Sequence, residues 1–185
     1  LIWAPLTDGL KGVSLSANWM WPAKNEGEND RLYRAVEATS EFAIALGINI
    51  PTGKDSLSMT QKYPSGQTVK SPGTVIISTV GECSDINNVI SPSLKASPES
   101  TLLYIDLSKD EAKLGGSSFA QSLNKIGNEV PNIKDAAYFK SAFATIQELI
   151  KEDKVLAGHD ISSGGLITTL LEMCFPDQNR GLDIH

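Results

Sequence analysis

Cysteine and long apolar runs are scarce in this chain of 185 residues. The only two cysteines, Cys83 and Cys174, are far apart and have no metal-ligand spacing. They are typical of reduced thiols in a cytoplasmic protein, not of a disulfide framework. Because no apolar run reaches the length of a bilayer span and no signal peptide is visible, we expect no membrane partner and no secretory leader.

Positively charged residues are also fewer than negatively charged ones. The chain has 16 Lys and Arg against 22 Asp and Glu, a net charge of −6 at pH 7, which argues against nucleic acid or an anionic membrane surface as a partner. Its 41% hydrophobic and 21% charged residues are typical of a globular protein with one domain or parts of two. Because it begins at Leu1 without Met, we expect it to be a piece of a longer protein.

The stretch 155–173 carries the strongest functional signal. It combines a short apolar run at 155–158, which predicts a buried strand, with a Gly-rich connector and a helix at 166–173. Such a helix start offers unpaired backbone amides and a dipole to an anion. Asp160 would lie at the carboxyl end of the strand, where a carboxylate can hold Mg²⁺ against phosphate oxygens.

A simpler interpretation of this loop remains open. Ser162 or Ser163 would then only cap the helix, and Gly164 and Gly165 would only shape the turn. A second Gly-Gly-Ser helix start at 115–118 raises the same two possibilities, anion binding or a cap.

Periodicity gives the remaining elements and an α/β (α+β) fold class, with mixed sheets and helices on one side. We predict strands at 12–18, 48–50, 74–80, 101–107 and 181–184, a hairpin-like turn at 61–70, and helices at 30–46, 114–126, 136–152 and 166–173. The strand at 74–80 should be core. The Pro- and Ser-rich segment 90–100 should link two domains, 1–92 and 93–185.

Specific residues should delimit these elements. Asn29 or Asp30 is expected to cap the first helix and Gly47 to end it, because glycine readily adopts the left-handed C-terminal conformation. Pro51 is expected to stop the strand at 48–50, and Asp135 to cap the helix at 136.

Lys54 and Asp55 lie in the stretch 51–59, which we place at a strand end or in a loop before the next strand. Lys54 offers a cation for a phosphate or carboxylate, and Asp55 an anion that orients it. The other interpretation is an exposed ion pair of negligible energetic worth.

Four strings occur together and in order over almost the whole chain. They are LSANWM at 15–20, GKDSLSM at 53–59, LGGSSFAQ at 114–121 and GHDISSGGL at 158–166. Together they resemble the family of large single-chain phosphoribosylformylglycinamidine synthases. The resemblance implies the later part of an aminoimidazole-ribonucleotide-synthetase-like N-terminal domain, followed by the earlier part of its C-terminal domain, from the second of two such repeats.

The resemblance also implies a chemistry. Members amidate formylglycinamide ribonucleotide with ATP and glutamine-derived ammonia in purine biosynthesis. A second nucleotide site in this repeat holds ADP and Mg²⁺, and its motif places a metal ligand at Asp160 and a nucleotide contact at Ser162. Ser163 stands where the family often has Asp, and further metal carboxylates lie upstream of Leu1 by resemblance. We therefore expect this segment alone to be inactive and to bind ADP weakly. Because its first part would complete only half of an open sheet, we also expect it to self-associate or to expose a large apolar patch.

Two other readings remain open. The chain could belong to a related ATP-using enzyme, such as aminoimidazole ribonucleotide synthetase or selenophosphate synthetase, although the string at 53–59 argues against these relatives. It could also be a non-catalytic structural or interaction module whose glycine loops are only turns.

Overall fold

A computed structural model describes residues 1–95, 97, 99–177, 179 and 181–184. The chain forms two compact units, Leu1 with Leu6–Glu82 and Ile2–Pro5 with Cys83–His185. The predicted domain boundary at 92/93 stays a prediction. Among the described residues, no helix is both long enough and apolar enough to span a membrane.

The first unit is built on a mixed sheet of three strands. β1 (Ser14–Met20) lies between β2 (Asn49–Ser56), which runs parallel to it, and β5 (Thr74–Val80), which is antiparallel. The predicted strand at 12–18 is confirmed with bounds of 14–20, but only Ala17 is buried within it, and Leu15 is partly exposed like Ser14 and Ser16. This arrangement agrees with the predicted mixed sheet.

The long helix of this unit, α1 (Glu28–Leu46), confirms the predicted helix but not its cap. The N-terminal cap is Gly27, and no side chain caps the helix, so the predicted cap by Asn29 or Asp30 is wrong because both residues lie inside the first turn. Gly47 ends the helix in the left-handed conformation, as predicted.

Pro51 does not stop the second strand, contrary to the prediction. β2 continues through it to Ser56, because β2 is at the edge of the sheet, where a missing amide donor is tolerated. The predicted hairpin is confirmed by β3 (Thr60–Lys62) and β4 (Thr68–Lys70), which pair antiparallel.

The described part of the second unit contains three α-helices separated by long segments without regular structure. They are α2 (Ser118–Ser122), α3 (Ala136–Lys151) and α4 (Gly165–Cys174). The core of α3 includes Phe143, Ile146 and Ile150, and Ile150 is fully buried. Asp135 caps α3 as predicted, since its side chain accepts a hydrogen bond from the amide of Tyr138.

Three predicted strands are absent from the described residues of this unit. Segments 101–107, 155–158 and 181–184 carry no strand, although each contains large apolar residues. An apolar run becomes a strand only when its amides and carbonyls pair with a neighbour. Around 155–158, one such bond joins the amide of Gly158 to the carbonyl of Ser91 at 3.2 Å.

The predicted helix at 114–126 is also shorter than expected. α2 ends at Ser122, and Asn124 and Gly127 both adopt positive φ, which breaks the helical path. The sequence also predicts a turn at 178–180, before the last expected strand, but residues 178 and 180 lie outside the described residues.

Strand β5 is not core, contrary to the prediction. Ile76 is 51% exposed and Val80 is 67% exposed, because the described residues leave this part of the sheet face uncovered, and β5 forms the other edge of the sheet. Further large apolar side chains are exposed in the second unit, including Leu103, Ile126 and Ile167. This exposure agrees with the expected apolar surface.

Candidate functional site

The loop before α4 opens the helix without a side-chain cap. Gly164 is the N-terminal cap residue, with φ of 92°, and no side chain accepts from the first turn. The simpler interpretation, a cap by Ser162 or Ser163, is therefore wrong. The first-turn amides have no intrahelical acceptor, so this start keeps donors that an anion can use.

Asp160 lies in this loop with an exposed side chain. Its carboxylate oxygen Oδ1 accepts a hydrogen bond from the indole Nε1 of Trp3 at 2.9 Å. Among the described residues, no ion pair involves this carboxylate. The indole therefore occupies one oxygen of Asp160 and leaves the other, Oδ2, open to a ligand.

Contacts from α4 hold the backbone of the loop. Thr169, which is buried, places its hydroxyl 3.3 Å from the carbonyl oxygen of Asp160 and 3.2 Å from that of Gly165. One turn later, Glu172 lies 3.1 Å from Nε2 of His159, an ion pair when the imidazole is protonated. The loop is thus tied to the helix that follows it.

The other predicted residues of this loop are accessible. Ser162 and Gly164 are exposed, and Gly165 is half-buried. The carbonyl of Ser162 accepts from the amide of Gly165 at 3.0 Å, so that amide is occupied. Within the described part of the chain, the hydroxyl of Ser162 has no hydrogen-bond partner and is available to a ligand.

The metal ligands present are too few for a complete site. No group of three or more His, Cys, Asp or Glu side chains that could hold a metal ion occurs among the described residues. Mg²⁺ takes about six oxygen ligands in near-octahedral geometry and is often held by one or two carboxylates with phosphates and water. Asp160 fits as one such carboxylate and does not suffice alone.

Lys54 and Asp55 lie in the first unit, within the last three residues of β2, which agrees with the expected strand end and not with a loop. Both are exposed, and Lys54 donates from Nζ to the hydroxyl of Ser56 at 2.7 Å. Successive strand side chains point to opposite faces of a sheet, and no Lys54–Asp55 ion pair is found within the described ranges. The structure brings Asp160, Ser162, Gly164 and Gly165 together in one loop, and Lys54 next to Asp55 on one strand.

The second Gly-Gly-Ser start, before α2, has a different hydrogen-bonding pattern. The amides of Gly115, Gly116 and Ser117 donate to the carbonyls of Glu129, Ile126 and Leu114, respectively. The hydroxyl of Ser117 caps the five-residue helix by accepting from the amide of Ala120. The cap interpretation is therefore confirmed here.

Shifted pKa values occur between residues 106 and 135. A hydrogen bond from Lys113, 3.0 Å away, holds the pKa of Asp110 below its usual range and raises the pKa of Lys113. The hydroxyl and amide of Ser108 lower the pKa of Asp106. These shifts come from contacts that stabilise the backbone of this segment.

Sequence reasoning missed Trp3, Thr169 and Glu172. Trp3 is 157 positions from Asp160, and no pattern in the sequence links the two residues. A weak signal exists for Thr169 and Glu172, because they follow the loop on one helix with a spacing of three residues.

Comparisons with known proteins identify both halves of the chain. Residues 1–82 match the model of the FGAR-AT PurM_N-like domain, and residues 98–184 match that of the C-terminal domain of AIR synthase related proteins. The whole chain is 46% identical, over 185 residues, to a probable phosphoribosylformylglycinamidine synthase, chloroplastic/mitochondrial, of Arabidopsis thaliana.

Two further relatives carry the same enzyme name. The chain is 44% identical, over 195 residues, to the probable synthase of Caenorhabditis elegans, and 41% identical, over 186 residues, to the synthase of Homo sapiens. The chain belongs to the phosphoribosylformylglycinamidine synthase family. All of this chain is aligned in each comparison, but it spans only 13–14% of the relatives' length.

Membership settles the order of the two domain types. An aminoimidazole-ribonucleotide-synthetase-like N-terminal domain comes first and a C-terminal domain of that type follows, as the resemblance implied. The mixed α+β architecture of this family member agrees with that arrangement.

Proposed function

We propose that this chain contributes a Mg²⁺-nucleotide site to an ATP- and glutamine-dependent ligase that converts formylglycinamide ribonucleotide to formylglycinamidine ribonucleotide. One observation supports this most: the Asp160 carboxylate stands exposed in the loop of an uncapped helix start. The chain covers about one seventh of its relatives, so this activity is proposed for a full-length protein that contains it.

Each residue of the loop would have its own role in binding the metal and the nucleotide. Asp160 would bind the metal through an oxygen, Ser162 would donate its hydroxyl to the nucleotide, and Gly164 and Gly165 would let phosphate approach the backbone. Bound Mg²⁺ would supply positive charge that neutralises phosphate oxygens. The remaining metal ligands must come from outside the described residues.

Lys54 and Asp55 are weaker candidates for phosphate or substrate contact. They are exposed on the edge strand β2, and the hydrogen bond to Ser56 holds the ammonium of Lys54 on one face. A ligand with a phosphate or carboxylate would compete for that ammonium.

Small molecules and other domains of the same polypeptide are the proposed partners, with ammonia derived from glutamine. The net charge of −6 argues against nucleic acid. The cytoplasm is the proposed compartment, and the two cysteines are free thiols as expected there. An organellar compartment competes with it, because the Arabidopsis relative is named chloroplastic/mitochondrial.

A non-catalytic structural module is the second candidate. It is favoured by the absence of any three-ligand group in the part of the chain that the structure describes. Under this proposal the loop before α4 is a turn, and neither its carboxylate nor its hydroxyl affects nucleotide binding.

Enzyme assays distinguish the two candidates. A full-length protein that carries this chain should form ADP and formylglycinamidine ribonucleotide only when ATP, glutamine and formylglycinamide ribonucleotide are all present. The Ser162→Ala variant should retain less bound nucleotide, whereas Ser65→Ala, on an exposed turn of the first unit, serves as the control. Equal nucleotide retention in both variants, together with no ADP formation by the parent protein, would support the structural module.

Calorimetry on the 185-residue chain tests the role of missing ligands. Because one carboxylate is a poor anchor for Mg²⁺, we expect no micromolar binding of Mg-ADP by the isolated chain. Tight binding would show that the described residues are sufficient and that this part of the proposal is wrong.

A further inference from the structure

We propose that Trp3 is a positioning residue that fixes the carboxylate of Asp160 for the metal, an inference that rests on the proposed function. Its indole Nε1 donates to Oδ1 of Asp160 at 2.9 Å. Residues 2–5 belong to the same compact unit as Asp160, although they lie at the other end of the chain. The contact therefore joins two distant segments of sequence within one unit.

Hydrogen bonds to the backbone around Trp3 hold this donor in place. The amide of Ile90 donates to the carbonyl of Trp3 at 2.8 Å. The side-chain nitrogen of Gln147, which is only 4% exposed, donates to the carbonyls of Ile2 and Ala4 on either side. Buried donors of this kind hold a segment firmly, because breaking them leaves unpaired polar groups.

The indole ring is held as well. Gly158 precedes the Asp160 loop, and a Cβ added there would lie 2.2 Å from Cζ3 of the Trp3 ring. No side chain fits between the ring and this backbone, so only glycine allows the ring to pack so closely. The same backbone segment thus packs against the ring at Gly158 and carries the carboxylate two residues later, at Asp160.

The chemistry of the donor suits a metal ligand. An indole N–H carries no net charge, so it orients the carboxylate without repelling a cation. A Lys or Arg at this position would neutralise the carboxylate and compete with the metal. Hydrogen bonds to ligating carboxylates restrict their rotation, and removing them typically lowers metal affinity by about 10- to 100-fold.

The test compares two tryptophans in the full-length protein. Trp3→Phe keeps a ring against Gly158 but removes the donor. Trp21→Phe is the matched control, because Trp21 donates to Oε2 of Glu28 at the same distance, 2.9 Å, in the first unit. Mn²⁺ affinity, measured by electron paramagnetic resonance with ADP present, should fall about 10-fold or more for Trp3→Phe only.

A second variant displaces the indole without changing it. Gly158→Ala should push the ring off the loop and lower Mn²⁺ affinity by a similar factor, even if Trp3→Phe does not fold. The double variant Trp3→Phe/Asp160→Ala should bind Mn²⁺ no more weakly than Asp160→Ala alone, because both changes act on one ligand.

Two outcomes separate the failure of this inference from the failure of the proposed function. If Asp160→Ala weakens Mn²⁺ binding but folded Trp3→Phe and Gly158→Ala leave it unchanged, the positioning role is wrong and the metal role stands. If Asp160→Ala itself leaves Mn²⁺ affinity and bound ADP unchanged, the proposed function of Asp160 is wrong, and the role of Trp3 fails with it.

Discussion

The chain contains two helix starts with paired glycines and neighbouring serines, and they differ in how their amides are used. Before α2, three successive amides donate to backbone carbonyls, and Ser117 caps the helix. Before α4, Gly164 takes the cap position, no side chain caps the first turn, and Ser162 stays exposed. The same residue types therefore close one helix start and leave the other open.

The comparison teaches that residue composition does not decide whether a Gly-rich helix start can bind an anion. The deciding factor is the backbone opposite the amides. Gly115 lies against the backbone of Glu129, which supplies an acceptor. The loop before α4 is anchored through Asp160 and Thr169, and although the amide of Gly165 donates to the carbonyl of Ser162, no side chain caps this first turn. Only the second arrangement leaves a first turn without a side-chain cap, which is what an anion site needs.

The largest effect should come from filling the glycine positions. Gly164→Ala forces a side chain into φ of 92° and places its Cβ 2.3 Å from Oγ1 of Thr168. We expect a loss of about 2–3 kcal/mol in the free energy of unfolding. Gly116→Ala has positive φ but open space around it, so it should cost only about 1 kcal/mol.

Urea unfolding of the chain would measure both values. Equal losses at the two positions would mean that the loop before α4 relaxes away from Thr168, contrary to the comparison.

The next largest loss of stability should come from removing the hydroxyl that holds the backbone of the loop before α4. Thr169→Val removes the hydroxyl that reaches the carbonyls of Asp160 and Gly165 in a buried position. We expect a loss of about 1–2 kcal/mol, because the carbonyl of Asp160 loses its donor. Thr145→Val, which removes an exposed hydroxyl bonded within α3, should change stability by less than about 0.5 kcal/mol. Hydrogen exchange of the loop amides would locate the loss, and protection unchanged at 158–165 would contradict it.

Serine substitutions compare the two caps directly. Ser117→Ala removes a side-chain cap and should cost about 1 kcal/mol. Ser163→Ala should change the free energy of unfolding by less than about 0.5 kcal/mol, since Gly164 and not Ser163 caps α4. Thermal unfolding of both variants against the parent would test this, and a loss for Ser163→Ala as large as that for Ser117→Ala would restore the cap interpretation.

The smallest effect is a pH dependence at the start of α3. The amide of Tyr138, and then Lys109, lower the pKa of Asp135 below its ordinary value of 3.8. A lowered pKa stabilises the folded state above pH 3.8, and this stabilisation is lost as the pH falls through the folded-state value. Asp135→Asn should therefore show a smaller drop in Tm between pH 5 and pH 3 than the parent.

The glycine cap of α4 has no such carboxylate. The drop in Tm between pH 5 and pH 3 should therefore be the same for Gly164→Ala as for the parent. Identical acid-induced drops in Tm for Asp135→Asn and the parent would show that the cap of α3 contributes nothing to the pH dependence.

Local patterns predicted the elements whose stability is local. Alternation located β1, helical spacing located α1, α3 and α4, and cap chemistry identified Gly47 and Asp135. Patterns failed where pairing decides the outcome. The apolar segments 101–107 and 155–158 look like strands, but no strand neighbour pairs with them in the described residues. Pro51 looked like a stop, yet an edge strand tolerates it.

The candidate site was predictable only in part. The position of Asp160 in a Gly-rich loop before a helix could be predicted because loop and helix are adjacent in sequence. The partner of its carboxylate could not, because Trp3 reaches it only through the tertiary fold. The roles of Asp160 and Ser162 toward metal and nucleotide remain predictions.

Anomalous diffraction from Mn²⁺-soaked crystals of the full-length protein with ADP tests the central claim most directly. We predict a manganese peak within bonding distance of Asp160, about 2.1 Å, at the oxygen that Trp3 does not occupy. Ordered ADP and Mn²⁺ elsewhere in the protein, with no peak at this carboxylate, would contradict the account.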